Sequence, residues 1–140
     1  METTLLTVQT VIDAPLDVVW KNWTTPADII KWNNASEDWH TTNAENDLRV
    51  GGKFKSRMEA KDGSEGFDFT GKYDSIKLNE SIEYTMDDDR KVRINFSREG
   101  NKTRIVESFE AENTNSLELQ QSGWQAILDN FKRYTESKLK

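Results

Sequence analysis

GWQAILDNFKRY, Gly123–Tyr134, sets Trp124 and Phe131 seven residues apart with Leu128 between them. Seven residues make two helical turns, so all three side chains fall on one face. Upstream the stripe continues through Gln120 or Gln121 to Leu117. Asn115 or Ser116 offers the N-cap, and Glu118 places an acid in the first turn. The reading is a helix of about 20 residues, roughly 30 Å long and able to cross a whole sheet. The question is what its apolar face covers.

The residues before it alternate with period two. Trp39, Thr41 and Asn43 alternate with His40 and Thr42; after the Gly51-Gly52 turn, Phe54, Ser56, Met58 and Ala60 alternate with Lys53, Lys55, Arg57 and Glu59. Asp62-Gly63 signals a hairpin. Phe67, Phe69, Gly71 and Tyr73 share the next face. A further strand begins at Asn79-Glu80 and aligns Ile82, Tyr84 and Met86. Val92, Ile94 and Phe96 follow the acidic turn Asp87-Asp88-Asp89, and after Gly100-Asn101 the last row is Thr103, Ile105, Glu107 and Phe109. At the start, Leu5 to Ile12 reads as a strand. Leu16, Val19, Trp20 and Trp23 then lie on one helical face, and Thr25-Pro26 opens a second short helix to about Lys31.

One strand, two short helices, about six antiparallel strands and a long helix define an α+β layer architecture in a single domain over residues 1–140. The long helix covers a curved sheet of about seven strands. One helix cannot fill a wide concave face, so a cavity is expected between them. The residues expected to line it are Trp39, Phe54, Ser56, Met58, Phe67, Phe69, Tyr84, Met86, Ile94, Phe96, Glu107, Trp124, Leu128 and Phe131. Gly123, beside Trp124, is expected to leave space there.

Composition restricts function. The chain has 140 residues, no cysteine, and 25 acidic against 19 basic residues, for a net charge of −6. Disulfides and thiolate-held zinc or iron–sulfur centres are excluded, and non-specific nucleic-acid binding is disfavoured. With a single histidine, His40, no ordinary zinc site is expected either. The start lacks a signal-peptide pattern and no run of 18 apolar residues occurs, so no membrane insertion and a cytoplasmic location are expected. Three successive acids without EF-hand spacing make a solvated turn, not a cation site. No cofactor, metal or catalytic residue is assigned.

Glu107 carries two readings. Either it points inward with Ile105 and Phe109, as a polar anchor or a base with a raised pKa, or the strand phase slips and it is solvated, the commoner fate of glutamate. His40 is an acid–base group at the cavity mouth or an exposed strand residue. Ser56 bonds a ligand or, more commonly, a neighbouring backbone group.

Four ordered stretches, IDAPLDVVWKNWTTPADIIKW (residues 12–32), DLRVGGKFKSRMEAKDG (47–63), FDFTGKYDSI (67–76) and GWQAILDNFKRY, resemble the family of activator of 90-kDa heat-shock protein ATPase homologues. That family belongs to the SRPBCC superfamily of START-type lipid-transfer and birch-pollen-allergen-like helix-grip domains. The resemblance implies a curved antiparallel sheet gripping the C-terminal helix, with an apolar cavity between them. It implies three function classes. The first is binding of an apolar, lipid-like or aromatic small molecule. The second is interaction with a chaperone protein, stimulating its ATPase. The third is a cyclase or hydrolase, for which no convergent acid–base pair is visible.

Overall fold

The alternating rows join edge to edge in one seven-stranded antiparallel sheet, seen in a computed structural model that describes residues 4–138. Residues 1–3 and 139–140, the ends of the single domain expected over 1–140, lie outside the described residues. The elements are β1 (Leu5–Ile12), α1 (Leu16–Thr24), α2 (Pro26–Trp32), β2 (Trp39–Asn46), β3 (Lys53–Ala60), β4 (Gly66–Lys77), β5 (Ser81–Met86), β6 (Lys91–Glu99), β7 (Lys102–Glu110) and α3 (Leu117–Lys138). The strand order is β1-β7-β6-β5-β4-β3-β2. Hairpins join β2 through β7 in sequence, and β1 pairs across the sheet with β7. This is the α+β helix-grip architecture: a curled sheet around one long helix.

Ile82, Tyr84 and Met86 of β5, Val92, Ile94 and Phe96 of β6, and Thr103, Ile105, Glu107 and Phe109 of β7 are all buried. On the sheet's concave side Val8, Ile12, Ile94, Ile105, Phe109, Leu128 and Phe131 form the fully buried centre. Large apolar side chains of this kind contribute about 1.5–3 kcal/mol each.

Four local readings are corrected. In β2 a bulge between Thr41 and Asn43 reverses the alternation, so Asn43 faces solvent and Ala44 and Asn46 turn inward. β4 runs on to Lys77 through a second bulge between Tyr73 and Ser75. Asn79, with φ +60°, then forms the turn, and β5 begins at Ser81 and not at Asn79-Glu80. Leu117 belongs to no buried stripe: it is 45% exposed, because α3 starts beyond the sheet edge. Thr25 occupies the N-cap position of α2 without a side-chain cap. In α3 Ser116 is the cap, its Oγ accepting the Leu119 N–H at 3.1 Å, and of the two glutamines Gln120 is the buried one.

Gly71 has a packing reason. It pairs with Phe54 across β3–β4, and a Cβ there would lie 2.6 Å from the Phe54 ring and 2.9 Å from the Thr85 carbonyl oxygen. The Phe54 ring therefore lies over the glycine. We expect Gly71→Ala to destabilise the protein by about 1–3 kcal/mol in urea unfolding, with Phe54→Leu partly relieving the effect in the double mutant. Additive losses would refute the contact.

Candidate functional site

The long helix covers the sheet unevenly. It packs along β1, where Gln121 and Gln125 donate to the carbonyls of Thr7 and Gln9 at 3.1 Å. On the opposite flank α2 packs on β2. Cross-links hold α2 against α3. Asn130 Nδ2 donates to the Trp32 carbonyl at 2.8 Å, and Tyr134 and Lys138 both donate to Asp28 Oδ1, at 2.5 and 2.9 Å. Burial opposes ionisation of Asp28, but these two donors outweigh it and hold the carboxyl below its usual range.

Between α2, α3 and strands β3 to β5 the concave face is left uncovered. A chamber of about 290 Å³ occupies that space. Its floor is Phe54, Ser56 and Met58 of β3, Phe69 and Tyr73 of β4, and Ile82 and Tyr84 of β5. Ile94 of β6 and Glu107 of β7 close the inner end. Trp124 and Ile127 of α3, with Trp23, Ile29 and Trp32 of α1 and α2, form the roof; Phe67, Asn33, Glu45, Asn46 and Arg90 complete the wall.

The rings hold one another in place. Trp124 lies flat on Phe109, centroids 4.0 Å apart and planes 7° from parallel, and meets Phe69 edge-on at 6.3 Å. Phe54 meets Tyr84 edge-on at 4.7 Å. Tyr73 donates its hydroxyl to Asn46 Oδ1 at 2.5 Å, while Asn46 Nδ2 donates to the Thr24 carbonyl at 2.6 Å. That pair ties the β2 edge to the junction of α1 and α2.

Glu107 is 6% exposed, and among the described residues its side chain takes part in no hydrogen bond or ion pair. Burial alone pushes its carboxyl up to about 8. Tyr84 is pushed well above the usual phenol value, by burial first and then by the neighbouring Glu107 charge. Burial likewise raises Tyr73, against its bond to Asn46. Ser56 Oγ also borders the chamber and has no hydrogen-bonding partner among the described residues. The chamber thus presents a largely aromatic surface with a carboxyl at its inner end and a hydroxyl on its floor.

Of the residues expected from sequence, Phe54, Ser56, Met58, Phe67, Phe69, Tyr84, Ile94, Glu107 and Trp124 border the chamber. Trp39, Met86, Phe96, Leu128 and Phe131 do not. Leu128 and Phe131 sit one ridge round the helix, in the packed region under α1. Phe96 is taken up by Trp20 and Met86 is buried at the end of β5. Trp39 leans on Phe67 at 5.9 Å, outside the chamber. Gly123 does not border it, and His40 is exposed on β2. Ile127 escaped the sequence reading because the stripe was drawn through Leu128; the i, i+3 spacing from Trp124 marks it. Ile29 and Trp32 carry the same spacing on α2. Among the described residues no group of His, Cys, Asp or Glu is placed to hold a metal ion, and no helix is long and apolar enough to cross a membrane.

The family model described as "Activator of Hsp90 ATPase homolog 1-like protein" matches residues 13–136. A solution structure of an AHSA1-like protein from Aeromonas hydrophila is 44% identical, covers 96% of this chain and 94% of its own, and superposes with a TM-score of 0.91. A solution structure of a protein from Cytophaga hutchinsonii is 56% identical, covers 95% and 92%, and has a TM-score of 0.82. A protein from Chromobacterium violaceum, 24% identical over 95% and 98% with a TM-score of 0.86, shares the fold. Among curated proteins none matches.

Proposed function

From the premise that this chain belongs to the family of Activator of Hsp90 ATPase homolog 1-like proteins, we propose that it binds one small, largely apolar molecule in the chamber between the sheet and α3. The observation that carries this is the chamber itself: an aromatic lining around a carboxyl and a hydroxyl that have no hydrogen-bonding partner among the described residues. Burial of the ligand's apolar surface drives binding, and the few polar atoms fix its orientation. The volume of about 290 Å³ lies at the low end of small-molecule sites, so a ring system or a short chain fits and a two-chain lipid does not. A cytoplasmic setting belongs to the same reading.

The test is a titration of the labelled protein with an apolar fragment library, followed by NMR. Ligands are expected to shift the Trp124 indole and the Phe69 ring. If no member shifts either, the reading fails. Trp124→Ala is expected to weaken a bound ring about tenfold or more, equivalent to about 1.4 kcal/mol, while the chain stays folded. Unchanged affinity would remove Trp124 from the site.

The chaperone alternative rests on the family description. Its test is direct: the protein added to a 90-kDa heat-shock chaperone either raises the ATPase rate or leaves it unchanged, and the second result removes that alternative.

A further inference from the structure

Glu107 narrows the class of occupant, an inference that rests on the chamber being a binding site. We propose that the chamber takes a small amine, an apolar ring or short chain carrying one protonated nitrogen, with the Glu107 carboxylate as its counter-ion.

The first ground is the absence of a protein partner. Among the described residues the other buried polar side chains have one, apart from the small hydroxyls of Ser56 and Ser81. Asp28 is bonded by Tyr134 and Lys138, Asn22 donates to Thr135, Thr103 donates to the Ala14 carbonyl, and Gln120 donates to the Asn115 carbonyl. Glu107, buried to the same degree, receives no hydrogen bond among the described residues and borders the chamber. A buried carboxylate is stabilised when a cation or strong donor meets it. Glu107 borders the chamber, so a cation that pairs with it comes from the occupant.

The second ground is the wall. Phe69, Tyr84 and Trp124 come from three different elements and pack edge-on, Phe69 lying 6.4 Å from Tyr84 and 6.3 Å from Trp124. Aromatic faces attract a cation and offer nothing to an anion. A carboxylate beside aromatic rings is a pairing that favours ammonium over a neutral head group.

The third ground is what an acidic ligand would lack. Arg90 is the cationic side chain at the chamber wall, and its guanidinium is already engaged. Nε bonds Asp88 at 2.7 Å, and Nη1 reaches the Glu110 carbonyl at 3.4 Å. The remaining ionisable groups on the wall are Tyr73, Tyr84 and Glu45. Burial keeps both phenols protonated well beyond neutral pH, and Glu45 is an exposed acid near the mouth. An acidic head group therefore meets Glu107 and no free positive charge within the chamber.

The test compares three probes of nearly equal shape on the full chain: phenethylamine, phenethyl alcohol and phenylacetate. Calorimetry gives affinities, and NMR shifts at the Trp124 indole report the place of binding. Phenethylamine is expected to bind tightest. Glu107 must ionise to receive it, so its affinity at pH 8 should exceed that at pH 6 by roughly fifty-fold, given titration at about 8 and an amine protonated throughout. The alcohol's affinity should vary far less. Glu107→Gln is expected to weaken the amine at least tenfold at pH 8 and to leave the alcohol within about twofold. Equal binding of alcohol or phenylacetate, or an amine affinity indifferent to Glu107→Gln, overturns the proposal while the chamber remains a binding site. Failure of all three probes and of the whole apolar library overturns both. Should the variant fold poorly, the pH comparison on the unaltered chain decides alone, and a flat profile overturns the proposal.

Discussion

Glu107→Gln is expected to stabilise the protein at neutral pH by on the order of 3 kcal/mol and to leave it unchanged near pH 4.5. The folded chain holds this carboxyl protonated up to about 8, whereas in the unfolded chain it titrates at its ordinary value of 4.5. The folded pKa is the higher one. The stability tied to this proton is therefore complete below pH 4.5 and is lost as pH rises toward 8. Between those limits the unfolded state releases a proton that the folded state keeps, and each pH unit costs about 1.4 kcal/mol. Glutamine has nearly the same shape and no titration, so the variant escapes that loss. Asp28 is held below its usual range and acts with the opposite sign at lower pH, as carboxylates with donors do. It is present in both chains, and the difference between their profiles isolates Glu107. Urea unfolding of both proteins at pH 4.5, 6, 7 and 8 reads the effect: the curves should coincide at the first and diverge steadily. Parallel profiles would mean that the carboxyl is hydrated in the folded state. The same variant that stabilises the fold is the one expected to lose the amine, a trade of stability against binding.

Strands β3 and β7 were legible because their alternation is unbroken from end to end. Phe54 to Ala60 and Thr103 to Phe109 all keep the phase read from the sequence. The α3 stripe was legible from Gln120 to Phe131, though not at Leu117. β2 was not: its bulge at Thr41 and Asn43 inverts the second half of the strand, and nothing in WHTTNAEN marks the inserted residue. The site shows where periodicity runs out. Alternation says which face a residue is on but not how far the opposite layer lies above it. Phe96 and Tyr84 both face inward on neighbouring strands, at different points along them, yet Phe96 meets Trp20 while Tyr84 borders the chamber. The difference is set by where α1 and α3 cross the sheet. On α3 the same limit separates Trp124 and Ile127, which roof the chamber, from Leu128 and Phe131, which fill the core. Adjacent ridges of one helix carry equal hydrophobicity and different partners. For Glu107 the sequence left two environments open, since depth depends on the elements packed around β7.

Phe131→Ala is expected to destabilise the protein by about 3–5 kcal/mol, lowering the melting temperature by about 10 °C or more. Phe131 is 0% exposed and stands between two indoles, with Trp23 at 4.9 Å and Trp32 at 4.8 Å, both edge-on. Those indoles also lie against each other, centroids 4.8 Å apart and planes tilted by 31°, and Trp32 Nε1 donates to the Asn22 carbonyl at 3.0 Å. The two rings are thus held from several sides and cannot close over the space a truncated Phe131 leaves. That places the cost at the upper part of the range for large-to-small core changes, which rises with the volume of void that remains. Phe131→Leu keeps most of the volume and is expected to cost under half as much. Trp23 and Trp32 also form part of the chamber roof, so the effect extends to binding. With Phe131 shortened, both indoles lose the ring that braces them from below, and a ring bound in the chamber should be held less tightly even under conditions where the variant is fully folded. A variant that melts within 2 °C of the parent would show that the cluster relaxes freely and that the roof is not rigid.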